Sequence, residues 1–520
     1  MEIELIGALD YKKVKKLLES EIGTILADKY EDLNEKEKSM VDQKVRTLLK
    51  EIKNVEKVRH SEIVSTAGRL SRFPGDVREV LELSENKEEE KNKNFASRVI
   101  GMGHKSISDH DYLVFSLKNV SVIIEQMIIE ERIASFTIKS RREVDFSNSG
   151  YYTPRFYYNK DGELLENSSD LQYVYDNHMK RLFDGYSKLI ENGVSKEDAR
   201  FVLPYSFHSN IIMGVDAHTL MDMIIKFTKT KYSRVQEFKE FGDKLYRIAK
   251  ENLPYITDII DNTEVSEIDK VDEYLQSKIK KEPYQILDSV KLLNSSKNID
   301  DQILISAIMR RYQYDLEKAT RVYNELCNEN PNFKLELMRK IAFESDKSEL
   351  TQVNFDFQIP VSFAILTHLT RHRTHKMLIP DFFPTVDLTQ YKTPPKIVGD
   401  NKVLYDSLFK NNYDMYDIFR RNSVREEDLI YFTLSGNMVN ILTNMDGWTV
   451  RHILELRECN KAQWETREIA REMHKEIEKL DNAEVFSKIL GPTCETRLIC
   501  NEGKESCGKI KVLTNKKECQ

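Results

Sequence analysis

The chain has 520 residues and a mass of 61.0 kDa, which leaves room for two to four domains of ordinary size. Its 79 Lys and Arg residues against 86 Asp and Glu residues give a net charge of −7, which argues against a generally basic nucleic-acid coat. The sequence has no run of about 18 apolar residues, so it predicts no membrane span. The N-terminus carries acids where a secretory signal carries bases, and we expect a cytoplasmic protein that binds neither nucleic acid nor membrane.

The spacing of apolar residues predicts a helix-rich α+β fold. Glycine and proline are scarce, and apolar residues recur every three to four positions along most of the chain. The clearest helical patterns, in chain order, are Tyr11–Ser20, Met179–Gly193, Leu220–Leu253 and Gln463–Leu480. Alternating apolar and polar residues predict strands at Tyr112–Leu117 and Asn354–Ile359.

Two pairs of similar segments indicate that one fold is used twice. Val120–Ser135 resembles Pro360–His375, and the offset from residue 130 to residue 371 is 241. Glu197–Pro204 resembles Glu427–Leu434, and the offset from residue 197 to residue 427 is 230. Both offsets are close to half the length, although helical segments can also match by chance.

A charged region with a proline near each end, Glu251–Tyr284, is the most plausible link between two halves. We predict a first copy over residues 1–262, a linker over 263–284, a second copy over 285–490 and a cysteine-containing tail over 491–520.

The segment Arg371-His372-Arg373 carries two arginines that suit bidentate phosphate contacts. On a helix, residues two apart point about 200° from each other, so Arg371 and Arg373 could serve two ligands on opposite sides. The alternative is a solvated basic face.

A second polar segment, in the first half, runs from Arg132 to Arg142. Its Ser140 and Arg142 can cradle a phosphate while Ile133 and Phe136 anchor the segment in a core. Upstream, the two histidines of Gly103–His110 could ligate a metal only with a further carboxylate or thiol nearby, so polar ligand contacts are favoured and no metal site is predicted.

Cysteines are concentrated at the C-terminus. Four of the six, Cys494, Cys500, Cys507 and Cys519, lie in the last 27 residues, with spacings unlike paired Cys-x-x-Cys zinc knuckles. We expect a reduced, loosely ordered tail, with a bound metal as the alternative.

Taken together, these motifs resemble the flavin-dependent thymidylate synthases. That family carries R-H-R-x-x-S-x-N-x-x-S-x-R-Y, preceded by G-H-x-[ST]-x-x-E-H and followed by A-R-x-V-L-P and L-R-x-x-x-x-A-Q-W-E-I. The first half matches at Gly103, His104, Ser106, Asp109, His110, Arg132, Ser135, Ser140, Arg142 and Ala199–Pro204. The second half matches at Arg371-His372-Arg373 and at Leu456–Thr466, which includes Ala462-Gln463-Trp464-Glu465.

Each copy departs from the family in a different part of the site. The first copy has Glu130 and Glu131 in place of the first two residues of R-H-R, and Phe227 in place of the arginine of L-R. The second copy has other residues where the family has its two serines, the arginine of S-x-R and the arginine before V-L-P: Lys376, Asp381, Phe383 and Ile430.

The resemblance implies one complete nucleotide site per chain. Family members are homotetramers in which two subunits build each site for deoxyuridine monophosphate (dUMP). Carried over, Ser140, Arg142 and Arg200 come from the first copy, and Arg371 and Arg457 from the second. The opposite pairing contains no arginine, so we predict an internal pseudo-dimer with one active and one inactive site.

The implied reaction is reductive methylation of dUMP to dTMP with FAD, NADPH and methylenetetrahydrofolate. Arg457 is the predicted catalytic residue, beside the uracil carbonyls. The predicted flavin contacts are His104, Ser106, Asp109, Arg371, His372 and Arg373. Two chains are expected to form a homodimer that mimics the family tetramer.

Two alternatives remain open: a non-catalytic flavin- or nucleotide-binding homologue, and a flavoenzyme that methylates a different pyrimidine nucleotide. Both are motivated by departures within the motifs, where Thr137, Ile138 and Glu143 replace the usual residues. Other residues stand where the family has flavin-contacting asparagines: Asp216, Asp222, Asp446 and His452.

Overall fold

The computed structural model describes residues 1–8, 38, 60–73, 76–159, 161–280, 285–381 and 387–518. The predicted helix Tyr11–Ser20 and residue Phe383 lie outside these ranges. The chain divides into two compact units. The first contains Met1–Tyr157, Asn167–Gln172 and Ser206–Lys281, and the second contains Tyr158–Glu166, Tyr173–Tyr205 and Glu282–Gln520. A stretch from the first half of the sequence therefore belongs to the second unit.

Each unit contains a four-stranded antiparallel sheet. The strands are β1 (Glu2–Ala8), β2 (Tyr112–Ser121), β3 (Ala134–Ile138), β4 (His208–Asp216), β5 (Lys291–Ser295), β6 (Asn354–Ser362), β7 (Lys376–Leu378) and β8 (Met438–Asp446). Their order is β1-β2-β4-β3 in the first unit and β5-β6-β8-β7 in the second. The same order in both sheets confirms the prediction of a helix-rich α+β fold present in two tandem copies.

Helices form most of the remaining structure. Up to residue 280 they are α1 (His60–Leu70), α2 (Val77–Glu85), α3 (Glu89–Gly101), α4 (Val122–Ile129), α5 (Ser168–Glu191), α6 (Lys196–Ala199), α7 (Ala217–Lys229), α8 (Gln236–Asn252), α9 (Pro254–Asn262) and α10 (Lys270–Gln276). After residue 285 they are α11 (Ile299–Tyr312), α12 (Leu316–Glu329), α13 (Phe333–Glu344), α14 (Phe363–Leu369), α15 (Asp400–Arg421), α16 (Glu426–Leu429), α17 (Gly447–Arg457), α18 (Trp464–Glu478), α19 (Glu484–Ser487), α20 (Thr493–Thr496) and α21 (Lys509–Glu518). Short 3₁₀ segments lie at Lys105–His110, Arg200–Val202, Lys231–Arg234, Ser348–Gln352, Ile430–Phe432, Asp481–Ala483 and Gly503–Glu505.

The predicted elements that fall within the described residues are confirmed. The two predicted strands form parts of β2 and β6, and the patterns at Met179–Gly193 and Gln463–Leu480 correspond to α5 and α18. The pattern over Leu220–Leu253 forms two helices, because a 3₁₀ segment interrupts it. None of the described helices is both long and apolar enough to cross a bilayer.

Alternation along β6 explains how the second sheet builds its core. Phe355, Phe357 and Ile359 are fully buried, whereas the residues between them are exposed or half-buried. This period of two places one face of the sheet against the helices of its own unit.

The passage from strand to helix is built in the same way in both units. At the end of β2, the Ser121 amide donates to the Glu237 carboxylate at 3.0 Å. At the end of β6, the amide and hydroxyl of Ser362 donate to the Glu465 carboxylate at 2.8 and 2.6 Å. Both glutamates are buried. In each unit, a buried carboxylate thus accepts a hydrogen bond from a backbone amide that has no partner within the helix, at the start of α4 or α14.

The second predicted repeat, at an offset of 230, also appears in the structure. Lys196–Ala199 continues into the 3₁₀ segment Arg200–Val202, and Glu426–Leu429 continues likewise into Ile430–Phe432. Within the second unit these segments pair with each other, since Pro204 forms an antiparallel bridge with Leu434. The Ser435 amide donates to the Leu203 carbonyl at 2.9 Å, and the Gly436 amide donates to the Phe201 carbonyl at 2.7 Å.

Candidate functional site

The triplet Arg371-His372-Arg373 lies in a turn, not on a helix. Helix α14 ends at Leu369, and the His372 amide donates to the Leu369 carbonyl at 3.1 Å. The helical geometry assumed for the triplet is therefore wrong. The two arginines are exposed while His372 is 7% exposed, so the turn directs both charges outward and the imidazole inward.

Arg457 is held against this turn by two hydrogen bonds. It is the last residue of α17, and its Nε donates to Nε2 of His372 at 2.9 Å. Its Nη2 donates to the backbone carbonyl of His368 at 3.1 Å. An arginine cannot accept a hydrogen bond, so Nε2 of His372 is the acceptor and the imidazole proton belongs on Nδ1. The structure thus places Arg457, the predicted catalytic residue, in contact with the turn that contains the R-H-R triplet.

The imidazole of His372 is neutral. Burial, followed by the positive charge of Arg457 and smaller contributions from nearby histidines and Arg371, lowers the pKa of His372 to about 3. Its ring lies edge-on to His452 with 5.6 Å between centroids, and His452 in turn stacks on Trp448 at 5.5 Å. Burial also lowers the pKa of His452. Arg457 is therefore oriented by a partner that leaves its charge intact.

The depressed pKa of His372 predicts a loss of stability in acid. A histidine that is neutral when folded but has a pKa near 6.5 when unfolded lowers the free energy of unfolding by about 1.4 kcal/mol for each pH unit below 6.5. His372→Gln retains an acceptor for Arg457 but cannot titrate. Between pH 6.5 and 5 the variant should lose about 2 kcal/mol less than the wild type. Urea unfolding at several pH values measures this, with exposed His110→Gln as the control; equal slopes in the wild type and His372→Gln would contradict a neutral His372.

Arg200, unlike the half-buried Arg457, is a buried arginine of this unit. It is 2% exposed, and its Nε donates to the Glu197 carbonyl at 3.1 Å. Burial raises the pKa of Glu465, while the bonds from Ser362 and the charges of Lys392 and Arg200 act in the opposite direction. Arg200 thus lies close enough to α18 to stabilise the buried carboxylate electrostatically.

The first turn of α18 connects the surroundings of Arg200 and Arg457. The Trp464 indole donates to the Asp198 carboxylate at 2.9 Å, and its ring stacks on Phe201, the residue after Arg200, at 5.9 Å. The Thr466 hydroxyl lies 3.4 Å from Nδ1 of His368, whose carbonyl accepts from Arg457. The segment Trp464-Glu465-Thr466 therefore contacts residues that neighbour each of the two arginines within the second unit.

In the first unit, Ser140 and Arg142 form a local turn. The Ser140 hydroxyl accepts the Arg142 amide at 3.3 Å, and both residues are half-buried. The prediction that Ile133 anchors this segment in a core is wrong, because Ile133 is 74% exposed. The buried anchor is Arg141, which pairs with the fully buried Glu125. The sequence gives little indication of this anchor, because Arg141 and Arg142 are adjacent and only their burial in the fold distinguishes them.

His104, Ser106 and Asp109 lie on the surface of the first unit, around the 3₁₀ segment Lys105–His110. Oδ1 of Asp109 is 3.0 Å from Nδ1 of His218. Within the described ranges, Asp109, Asp216 and His218 are the one group whose potential metal-ligating atoms all lie within 4.8 Å of one another. Sequence reasoning did not find this group, since His218 has no counterpart in the motifs.

Asp216 and Asp446 have a structural role at the start of equivalent helices. Asp216 accepts the amide of Thr219 at 2.8 Å and its hydroxyl at 2.9 Å, and Asp446 accepts the amide of Thr449 at 2.7 Å. Both aspartates are N-caps, of α7 and α17 respectively. Capping explains why a carboxylate stands at this position in both copies.

The first copy has an apolar side chain at the position equivalent to Arg457. Phe227, on α7, is fully buried, with ring centroids 5.6 Å from Phe238 and 5.4 Å from Phe241. Nearby, Lys226 donates to the Glu131 carboxylate at 3.3 Å. In the second copy, Ile430 is buried at the position equivalent to Arg200. Hydrophobic packing has thus replaced the arginine in each case.

The structure distributes the predicted site residues over the two units. Arg200, Arg371, His372, Arg373 and Arg457 belong to the second, and His104, Ser106, Asp109, Ser140 and Arg142 belong to the first. The second unit therefore contains three of the four arginines predicted to bind the nucleotide, including Arg200, which precedes the second copy in sequence.

A family model described as thymidylate synthase complementing protein matches residues 55–255 and 291–481, about three quarters of the chain. The chain belongs to this family. The two matched regions confirm the predicted resemblance to flavin-dependent thymidylate synthases and its presence in two tandem copies.

Several proteins named flavin-dependent thymidylate synthase are similar to the chain. The one from Geobacter sulfurreducens is 31% identical over 127 residues, 24% of this chain and 52% of that protein. The one from Sulfurisphaera tokodaii is 25% identical over 185 residues, 34% of this chain and 66% of that protein. The one from Saccharolobus solfataricus is 29% identical over 213 residues, 40% of this chain and 78% of that protein. The first two matches thus span between half and two thirds of the relatives' own lengths.

Among solved structures, the UMP/dUMP methylase PolB from Streptomyces cacaoi, bound with 5-Br dUMP, matches with a TM-score of 0.35 and 15% sequence identity. The match covers 40% of this chain and 93% of that chain. This likeness is too weak to carry a functional conclusion.

The donors of the R-H-R turn fit the flavin that the family name implies. Arg371 and Arg373 are both exposed, and guanidinium groups suit the anionic pyrophosphate of FAD. Trp448 and His452 add stacked rings beside His372. The first copy is less suited at its matching position, because Glu130 and Glu131 stand there and their carboxylates would repel a phosphate.

Proposed function

We propose that the chain is an FAD-dependent thymidylate synthase that methylates dUMP to dTMP with methylenetetrahydrofolate and NADPH. Membership of the family and the names of the similar proteins support this activity. The observation that carries the proposal is the contact between Arg457 and His372, which joins the two most specific motifs of the second copy. A homodimer is part of the proposal, by analogy with the family tetramer.

Nucleotide binding is assigned to Arg200, Arg371 and Arg457 of the second unit. With a net charge of −7, the protein as a whole does not attract an anionic substrate, so a local cluster of arginines has to supply the attraction. Ser140 and Arg142 of the first unit are proposed as further contacts. Arginine suits this role because its planar group can donate two parallel bonds to a phosphate or to a pair of carbonyls.

Arg457 has the proposed catalytic role. Methylation at C5 of uracil requires that negative charge develop on the ring and its carbonyl oxygens, and a fixed cation stabilises that charge. Because His372 is neutral, it orients the Arg457 guanidinium without neutralising it. A carboxylate at residue 372 would orient the arginine equally well but would cancel most of its effect on the substrate.

When bound, the flavin would supply hydride to the uracil ring. Arg371 and Arg373 are proposed to hold its phosphates, and His372 separates their two charges. His104, Ser106 and Asp109 of the first unit are proposed as additional flavin contacts. No cysteine is assigned as a nucleophile. The only cysteine close to a matched motif is Cys459, which lies two residues after Arg457.

The test is release of tritium from 5-tritiated dUMP by the purified full-length chain reconstituted with FAD. Release that requires both methylenetetrahydrofolate and NADPH is the expected result. Binding of flavin and nucleotide without release would indicate a non-catalytic homologue. Release from another tritiated pyrimidine nucleotide, but not from dUMP, would indicate a different substrate. Failure to bind FAD, together with failure to rescue a thymidine-requiring host, would contradict the proposal.

A further inference from the structure

Four cysteines converge on one cleft of the second unit. Cys459 follows α17, Cys494 lies in α20, and Cys500 and Cys507 lie in the segment between α20 and α21. All four line a single cleft. They are free thiols in the structure. Only three of them belong to the C-terminal cluster of the sequence, because Cys459 is 35 residues before Cys494.

The C-terminal segment is folded against the element that carries Arg457. Nη2 of Arg497 donates to the Glu455 carboxylate on α17 at 2.6 Å. Nη2 of Arg339, on α13, donates to the Thr496 carbonyl at 3.0 Å. The expectation of a loosely ordered tail is therefore wrong for the segment around Thr496 and Arg497. These contacts fix the segment so that its cysteines face the turn that begins at Cys459.

Polar groups lie against two of the sulfur atoms. Nδ2 of Asn460 lies 3.7 Å from Sγ of Cys507, and the thiol of Cys500 donates to the Ser506 hydroxyl at 3.4 Å. The residue after Cys507 is Gly508, with φ of +83°, a conformation that glycine adopts without strain. This turn directs the Lys509 amide at Cys507. Such N–H groups stabilise thiolate ligands and tune the bound metal.

The four thiols share one cleft, where their sulfur atoms would carry like charges when deprotonated. Several thiolates gathered in one cleft repel each other unless a cation binds between them. The sequence has two other cysteines. Cys327 lies on α12 and does not line the cleft, and Cys519 lies outside the described residues.

The spacing of the sulfur atoms bears on the kind of metal. In a tetrahedral zinc site each Zn–S distance is about 2.3 Å, which places the sulfurs about 3.8 Å apart. The four cysteines do not meet that spacing, because no three of their sulfur atoms lie within 4.8 Å of one another. Among the described residues, the one group of ligand atoms that meets this limit belongs to Asp109, Asp216 and His218 of the first unit. In an iron–sulfur cluster each thiolate binds a different iron, so the thiolates lie farther apart.

We propose that Cys459, Cys494, Cys500 and Cys507 ligate one metal centre, an iron–sulfur cluster, in the C-terminal part of the second unit. The ligands follow from four soft sulfur donors in one cleft, and the choice of a cluster follows because no three of the sulfur atoms lie within 4.8 Å of one another. The centre lies two residues beyond the end of α17 and ties the C-terminal segment to the turn that follows Arg457.

The test is the metal and sulfide content of the full-length chain, purified without oxygen from cells supplied with iron. We expect about four iron and four acid-labile sulfide per chain. Cys459→Ser and Cys500→Ser should lose both. Cys327→Ser is the matched control, a half-buried cysteine of the same unit, and should keep the full content. Circular dichroism and thermal melting verify that each variant is folded. Cys500, in a loop, provides an informative variant if Cys459→Ser fails to fold.

Three results would overturn the proposal. One zinc per chain with no iron or sulfide, lost in the same variants, would replace the cluster by a zinc centre. Metal that is substoichiometric and unaffected by the substitutions would exclude a site. Disulfide bonds among the four cysteines in the anaerobically purified protein would show that they pair with each other. None of these measurements depends on the proposed synthase activity.

Discussion

Arg457→Ala is expected to lower kcat/KM for dUMP by about 10²- to 10³-fold, the usual cost of removing a donor that stabilises developing negative charge. The fall should appear mainly in kcat, because the interaction strengthens as charge moves onto the uracil ring. His372 should remain neutral in the variant, since its burial is the first cause of its low pKa. Steady-state tritium release from 5-tritiated dUMP measures the effect.

Two controls separate catalysis from structure in this experiment. Arg420→Ala removes an exposed arginine of the same unit, on α15, whose pairing with Asp417 has no part in the proposed site. It should retain full activity. Arg457→Lys keeps the positive charge but cannot reproduce both the bond to His372 and the bond to the His368 carbonyl in one planar group, so we expect an intermediate rate. Equal activity in Arg457→Ala and Arg420→Ala would refute the catalytic role.

Arg200→Met is expected to have two effects of different origin. If Arg200 binds the nucleotide as proposed, loss of this charged donor should raise KM for dUMP about 10- to 100-fold. Loss of the positive charge near the buried Glu465 should also lower the free energy of unfolding by about 2 kcal/mol. Ile430→Met changes the equivalent position of the other repeat and should alter neither quantity by much. Enzyme kinetics and urea unfolding measure the two effects separately.

The double variant Arg200→Met with Glu465→Gln distinguishes the two origins. The second substitution removes the charge that needs compensation, and the new amide oxygen could still accept the Ser362 amide, so much of the stability should return. KM should stay high because the nucleotide still lacks its donor. If KM also recovered, Arg200 would be a positioning residue that acts only through Glu465.

The helices, the strands and the repeated segments could be predicted because each of them is recognised from a short stretch of sequence. The strand at Asn354–Ile359 follows from strict alternation, and the offset of 230 reappears as the bridge between Pro204 and Leu434. The R-H-R turn was misplaced on a helix, because nothing in the triplet itself marks the end of α14 at Leu369.

Features that depend on distant contacts could not be predicted in this way. The neutral state of His372 comes from burial and from Arg457, 85 residues later. The burial of Arg141 in place of Arg142 is decided by Glu125 on another element. The sequence does not relate Cys459 to the C-terminal cysteines, because only the folded chain places them in the same cleft.

The assignment of Tyr173–Tyr205 to the second unit limits how the chain can be divided. A fragment beginning at residue 285 would lose Arg200 and would leave the amides of Ser435 and Gly436 without the carbonyls of Leu203 and Phe201. Expressed separately, the two sequence halves would each carry an unmatched surface, and mixing them would have to restore these bonds between chains. The second unit therefore depends on residues that come from the first half of the sequence.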